Sequence, residues 1–223
     1  MRKFLTATLL CMALTVTMVP AAFAADTADS NYTTCMAAIQ EQKVIQDQAH
    51  QTAESLRQKG YDDSSAYIQA AQSTWWAAQD EIVAYQKLSQ YTDEDIRILT
   101  TAVFYEAGHT TEQLREYVAQ VVLNRVADSR FPDTVKGVIT QPGQYATKYA
   151  TQAATDSIKS ADSQNGPYSY AMCEAAVKKA MMGQVDMPSN VLYQANFAQG
   201  KGVWQSVYFN SGWYASTSYF CYG

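Results

Sequence analysis

TDEDIRILTTAVFYEAGH, residues 92–109, reads as a helix that starts at about Asp93 and ends near Gly108. Ile96, Leu99, Ala102 and Val103 recur at helical spacing and form one apolar stripe. One further step along that stripe falls on Glu106, so a carboxylate stands where a core residue is expected, beside the end of the helix. Burial disfavours the charged form of a carboxyl group, and so does the negative pole at a helix C-terminus. Gly108 is the residue type that closes a helix in a left-handed cap. These features predict that Glu106 keeps its proton near neutral pH, as a general acid must. The competing reading is a solvated glutamate at a fraying helix end.

A second helix follows at once. Thr110 and Thr111 can cap it, with Gln113 three residues after Thr110 as a capping box. Its stripe is Leu114, Val118, Val121 and Val122, and then Arg125. The short link makes the two helices spatial neighbours. Arg130-Phe131-Pro132-Asp133 stops and restarts the chain, with Asp133 expected to cap a short helix through Ile139, and the loop Gln141-Pro142-Gly143-Gln144-Tyr145 comes next.

Four ordered motifs now stand together: Tyr105-Glu106-Ala107-Gly108, Val118 to Val126, Arg130 to Val135, and Gln141 to Tyr145. With this spacing the chain resembles the SleB-type cell-wall hydrolase family, whose best-known members are spore cortex-lytic enzymes. The resemblance runs from about Thr92 to the C-terminus, where Val191-Leu192-Tyr193 and Tyr219-Phe220 look like the family's closing strands. It implies a mainly helical, lysozyme-like α+β domain with a small C-terminal β element. It implies cleavage of the bond between muramic acid and glucosamine in peptidoglycan, with Glu106 as the catalytic acid. Many family members carry a second glutamate just after the motif glycine; this chain has His109 there, and the nearest acid is Glu112.

The N-terminus has Arg2 and Lys3, an apolar run from Phe4 to Val19, and Ala22-Phe23-Ala24 before Ala25. That is the pattern of a secretory leader cleaved after Ala24, giving an exported protein without stable membrane insertion, secreted or associated with the cell wall. Cleavage would move the formal charge from −5 to −7. An acidic chain argues against nucleic-acid binding and gains no general attraction to an anionic wall, so affinity for peptidoglycan must be local. The hydrophobic fraction of 48% fits a folded protein.

Residues 25–90 read as an antiparallel helical hairpin, set before a catalytic domain over 91–223. Met36, Ile39, Ile45, Ala49, Ala53 and Leu56 mark its first helix; Ile68, Ala71, Trp75, Ala78, Ile82 and Tyr85 mark its second. Lys59-Gly60-Tyr61-Asp62-Asp63 is the reversal. The hairpin reads as a spacer or packing partner, with protein contacts as the alternative role. Trp75 belongs on the seam and Trp76 beside it.

Residues 146–164 lose periodicity and read as a loop with at most one helical turn. Asn165-Gly166-Pro167 is expected to open a helix whose inner face is Tyr170, Cys173, Val177, Ala180 and Met181. Residues 190–196 and 203–208 are strand candidates, joined through Gln199-Gly200-Lys201-Gly202. After leader removal three cysteines remain: Cys35, Cys173 and Cys221. An odd count in an exported chain suggests one disulfide, expected between Cys173 and Cys221, with three free thiols as the alternative.

Other chemistries have little to stand on. A cysteine nucleophile needs a nearby histidine, and only His50 and His109 exist. Two isolated histidines offer no zinc-ligand spacing, and no glycine-rich phosphate loop appears, so neither metal nor cofactor is expected. Hydrolysis of a glycoside usually needs two carboxylates. The one-acid pattern looks more like a lytic transglycosylase, in which Glu106 serves as acid and then base; Glu112 is the candidate second acid. Asn124, Gln144, Tyr145 and Tyr193 are the candidate substrate contacts. Arg125 is expected to bond elsewhere, to a backbone carbonyl or Asp133, because an ion pair would lower the pKa of Glu106. The alternative to an enzyme is a non-catalytic wall-binding or interaction protein of the same fold.

Overall fold

Ser30–Gln58 (α1) and Ala66–Leu88 (α2) form the expected hairpin in the computed structural model, which describes residues 30–162, 169–212 and 214–223. The expected leader at 1–24 and the helix start at 165–167 lie outside the described residues. Gly60 makes the reversal with φ +88°, a left-handed backbone that a side chain would strain, and Ser65 caps α2 by accepting from the Ile68 amide.

The two ends of the hairpin differ. At the far end Ala53, Ile68 and Ala71 form a small cluster of their own with Leu56. At the near end Cys35 and Leu88 belong to the main core. Asn31 donates from Nδ2 to the carbonyls of Leu88 and Tyr91, at 2.9 and 2.7 Å. The Asp93 carboxylate accepts from the backbone amides of Ser30 and Asn31, at 2.9 and 3.1 Å, so the residue that opens the helix after the hairpin satisfies two of the orphan donors of α1. Trp75 is half-buried on the seam and Trp76 is exposed, as the spacing predicts.

Asp93–Ala107 (α3) begins in a capping box, Thr92 with Asp95. Ile96, Leu99, Ala102 and Val103 are buried as expected, with Ile98, Thr100 and Thr101. Gly108 does not form a left-handed cap. Its backbone stays right-handed, φ −54° and ψ −38°, and its amide bonds to the Phe104 carbonyl at 2.9 Å. A Cβ there would stand 2.5 Å from that carbonyl oxygen, so close approach explains the glycine.

Glu112–Ala127 (α4) is the central helix. The sequence shows one stripe; the structure buries nearly every face between Leu114 and Arg125, because α3, the next helices and the sheet all pack on it. Its buried charged side chains find partners, although Arg115 Nε and Gln120 Oε1 are left without one. Arg115 donates from Nη1 to the Thr110 carbonyl at 2.6 Å, and Glu116 accepts from Lys179 at 2.5 Å. Thr111 is the N-cap, accepting from the Leu114 amide, and Gln113 bonds to Tyr117 instead of closing a capping box.

Val135–Thr140 (α5) is capped by Thr134 and not by Asp133; the Thr134 hydroxyl accepts from the Gly137 amide at 3.1 Å. The stretch expected to be a loop contains a 3-10 turn, Thr147–Ala150, and a full helix, Gln152–Ala161 (α6), capped by Thr151. Its inner face is Ala154, Thr155 and Ile158, too small and polar to register as an apolar stripe. Tyr170–Met181 (α7) buries all five residues of its expected inner face and packs on α3 and α4.

Val191–Ala195 (β1), Val203–Asn210 (β2) and Ala215–Tyr222 (β3) form an antiparallel sheet in the order β1-β3-β2. The first two strands are therefore not partners of each other. β3 lies between them, and its Phe220 and Cys221 are fully buried. The mainly helical fold with a small C-terminal β element is as expected.

The Cys173–Cys221 bridge is not formed; Cys35, Cys173 and Cys221 are buried, and no disulfide joins them among the described residues. Cys173 faces the packing of α7 on α3 and α4, whereas Cys221 lies in the sheet, which meets α4 through β1. Burial pushes the Cys173 thiol up to about 11, so it behaves as a small apolar side chain. Among the described residues no helix is long and apolar enough to cross a membrane, and no three His, Cys, Asp or Glu side chains cluster as a metal site.

Candidate active site

The last turn of α3 opens onto a cleft. Glu106 follows Leu99 and Ala102 by seven and four residues, on the same helix face, but the core ends one turn earlier and Ala107 closes it. Glu106 itself is exposed toward a cleft of about 250 Å³. One wall is Arg125 from α4 with Gln144 and Tyr145 from the loop after α5; the other is Gln194 and Asn196 beside Ser216 and Ser218 of β3, with Tyr214 at the rim. Polar side chains dominate, which suits a hydroxylated ligand better than an apolar one.

The expected burial of Glu106 against Val103 is corrected, yet its titration runs in the expected direction. Its surroundings strip water from the carboxylate and raise its pKa. Tyr149, from the 3-10 turn, faces the carboxylate with its hydroxyl and works the other way with smaller effect. The Tyr149 hydroxyl is raised in turn by burial and by the facing negative charge. Its ring stacks on Tyr105 at 4.8 Å, with planes 7° apart, and Lys148 lies over the opposite neighbour's ring, Nζ 5.2 Å from the Tyr105 centroid. No lysine or arginine among the described residues forms an ion pair with Glu106.

The other candidates divide. Gln144 and Tyr145 line the cleft with Glu106. Tyr193 stands behind them, its ring 5.8 Å from the Arg125 guanidinium. Asn124 is not a substrate contact. It is 5% exposed, donates from Nδ2 to the carbonyls of Pro188 and Val191 at 3.0 and 2.9 Å, and accepts from Gln120 at 2.9 Å, which occupies its amide with scaffold. Glu112 is not a second acid for this cleft either. It opens α4, 3.6 Å from Lys179, in a separate depression with Glu116 and Asp186. Among the described residues lining the cleft, Glu106 is the sole carboxylate. His109, at the position of the missing second glutamate, packs edge-on against Phe209 and Tyr214.

Arg125 bonds to a backbone carbonyl, as expected: Nε donates to Leu192 O at 2.7 Å. It still lines the cleft, which the sequence reading did not anticipate. The β-sheet contacts were missed as well. Their signal is the alternation of Gln194 with Asn196 and of Ser216 with Ser218, two residues apart and so on one face. Tyr149 was missed because its turn was read as loop.

Residues 111–217 match the Cell Wall Hydrolase family. That span contains every cleft residue except Glu106, which precedes it, and Ser218, which follows it. The chain is 30% identical over 119 residues to a spore cortex-lytic enzyme of Bacillus cereus, covering 51% of this chain and 40% of that protein. It is 33% identical over 108 residues to a spore cortex-lytic enzyme of Halalkalibacterium halodurans, covering 42% and 33%. The chain thus spans less than half the length of the curated relatives it matches. Among solved structures it is similar to the catalytic domain of the germination-specific lytic transglycosylase SleB from Bacillus anthracis, with 28% identity, 59% of this chain and 96% of that chain covered, and a TM-score of 0.39. The family resemblance read from the four motifs holds.

Proposed function

We propose that this cell wall hydrolase domain belongs to an exported enzyme that cleaves the muramic acid–glucosamine bond of peptidoglycan, with Glu106 as general acid and then general base. The observation that carries the proposal is a single carboxylate, raised in pKa by desolvation, at the end of a polar cleft. Glu106 donates its proton to the glycosidic oxygen as the bond to the anomeric carbon breaks. The hydroxymethyl oxygen of the same muramic residue then attacks that carbon. Glu106 takes up the hydroxyl proton, and an anhydro sugar results without consumption of water.

The lone acid favours this internal attack. Hydrolysis with inversion needs a second carboxylate about 6.5–9.5 Å away to activate water, and hydrolysis with retention needs one at about 5–5.5 Å to form a covalent intermediate. No such partner lines the cleft among the described residues. Gln144 supplies a polar contact and Tyr145 a flat ring for a sugar face.

Purified sacculi incubated with the wild-type chain and with Glu106→Gln test the proposal. Anhydro-muropeptides are expected from the wild type, with a loss of about 10²–10⁴-fold in Glu106→Gln. Reducing ends in place of anhydro ends would make the reaction hydrolysis. No product from either protein would favour a non-catalytic wall-binding role.

A further inference from the structure

Arg125 is 4% exposed, yet it has no carboxylate partner among the described residues. Only Nε is spoken for, by the Leu192 carbonyl at 2.7 Å. Three rings surround the guanidinium, with Phe131, Tyr145 and Tyr193 centroids 5.3, 5.6 and 5.8 Å from Cζ. Those ring faces favour a cation, but they accept no strong hydrogen bonds from its terminal amino groups. A buried charge without a paired anion is costly; buried Glu116 avoids that cost through Lys179, and the Arg115 Nη1 group is taken up by the Gly108 and Thr110 carbonyls, whereas no protein acceptor takes the terminal nitrogens of Arg125 among the described residues.

The unpaired side of Arg125 has somewhere to go. Its terminal nitrogens are not among the sealed polar atoms that lack partners, and the residue lines the Glu106 cleft. Among the described residues of that lining it is also the only basic one. The rings and the Leu192 bond fix the plane of the guanidinium, so its outer edge is a preorganised fork. A fork of that kind matches a carboxylate through two parallel hydrogen bonds. The chain as a whole is acidic, so this is where an anionic ligand meets local positive charge.

We infer that Arg125 is a binding seat for a carboxylate of the glycan substrate, held in the same cleft as Glu106. The inference rests on the proposed function for the identity of the glycan. Two parts of peptidoglycan offer the group: the lactyl carboxylate of a muramic residue without peptide, and the carboxylates of an attached stem peptide. Arg125 is thus a specificity-determining residue that separates carboxylate-bearing glycan from neutral amino-sugar polymers.

The test is titration calorimetry on the full chain carrying Glu106→Gln, so that no probe is consumed. The probes are four tetrasaccharides: peptide-free glucosamine–muramic acid, the same with stem peptides, the same with its lactyl carboxylates converted to amides, and chitotetraose. At low salt, one or both carboxylate-bearing probes are expected to bind about tenfold or more tightly than the amide and chitotetraose. Which of them does so identifies the source of the carboxylate. The advantage shrinks in 0.5 M salt, and Arg125→Gln removes it while leaving chitotetraose affinity in place. Arg125→Lys, which keeps the charge but loses the fork, restores part of it.

Equal affinity for all four probes overturns the inference, as does equal weakening of all four by Arg125→Gln. Should Arg125→Gln fail to fold, the amide comparison and the salt dependence decide on the Glu106→Gln chain alone. Cleavage of sacculi by Glu106→Gln would defeat the proposed catalytic role without touching this comparison, so the two failures are distinguishable.

Discussion

The Tyr149 ring lies flat against Tyr105, 4.8 Å between centroids and 7° between planes, and the same side chain holds down the pKa of the neighbouring Glu106 carboxylate. Two adjacent residues of α3 are therefore engaged by one side chain from a surface turn. The hydroxyl favours the ionised acid, while desolvation favours the protonated one and prevails.

Tyr149→Phe removes the hydroxyl and keeps the stack. The pKa of Glu106 then rises further, and the alkaline limb of the pH–rate profile, which marks loss of the acid's proton, moves to higher pH. A purely structural Tyr149 would lower activity without displacing the limb. Rates measured across pH on soluble muropeptide chains separate the two.

The same raised pKa has a stability signature. The folded chain binds the Glu106 proton more tightly than the unfolded chain does, so wild-type stability falls as pH rises from the ordinary carboxylate value through the raised one. Glu106→Gln does not titrate. It is expected to melt at a higher temperature than wild type at neutral pH and to lose that advantage on acidification below the ordinary value. Melting curves between pH 3 and pH 8 check this, and an advantage that grows toward acid would contradict it.

Asn124 and Gln144 were grouped by sequence and are separated by structure, so their variants should diverge. Asn124→Ala strips partners from the Pro188 and Val191 carbonyls and is expected to cost about 2–4 kcal/mol in chemical denaturation, with KM of the folded protein unchanged. Gln144→Ala, at an exposed cleft position, is expected to shift stability by less than about 0.5 kcal/mol and to raise KM.

Cys35, Cys173 and Cys221 are expected to resist a thiol reagent in the native protein and all to react in denaturant, since each is buried. Mass spectrometry without reductant should recover the Cys173 and Cys221 peptides separately. A linked pair would contradict the unbridged thiols of the structure.

The long periodic segments were legible in the sequence. The hairpin, α3, α4 and α7 all carry apolar residues at helical spacing, and the structure buries them. What escaped was set by tertiary context. α6 folds on a face of Ala154, Thr155 and Ile158, a pattern that polar composition hides. The order of the sheet depends on long-range pairing of β3 with both other strands, which local alternation does not encode. Asn124 was placed at the site because it precedes Arg125 in a motif, but one residue is a turn of about 100° on a helix, and that rotation aims it at the Pro188–Val191 segment. Glu106 was found by its place on the α3 stripe, and its exposure came from where the core stops.

The near end of the hairpin is anchored by Asn31, Cys35, Leu88 and Asp93, within the same core that supports α3. A helix of 29 residues at about 1.5 Å each reaches roughly 40 Å from that anchorage. The hairpin is therefore a strut and not a tether. Any body held at its distal tip would stand at a fixed distance and angle from the Glu106 cleft.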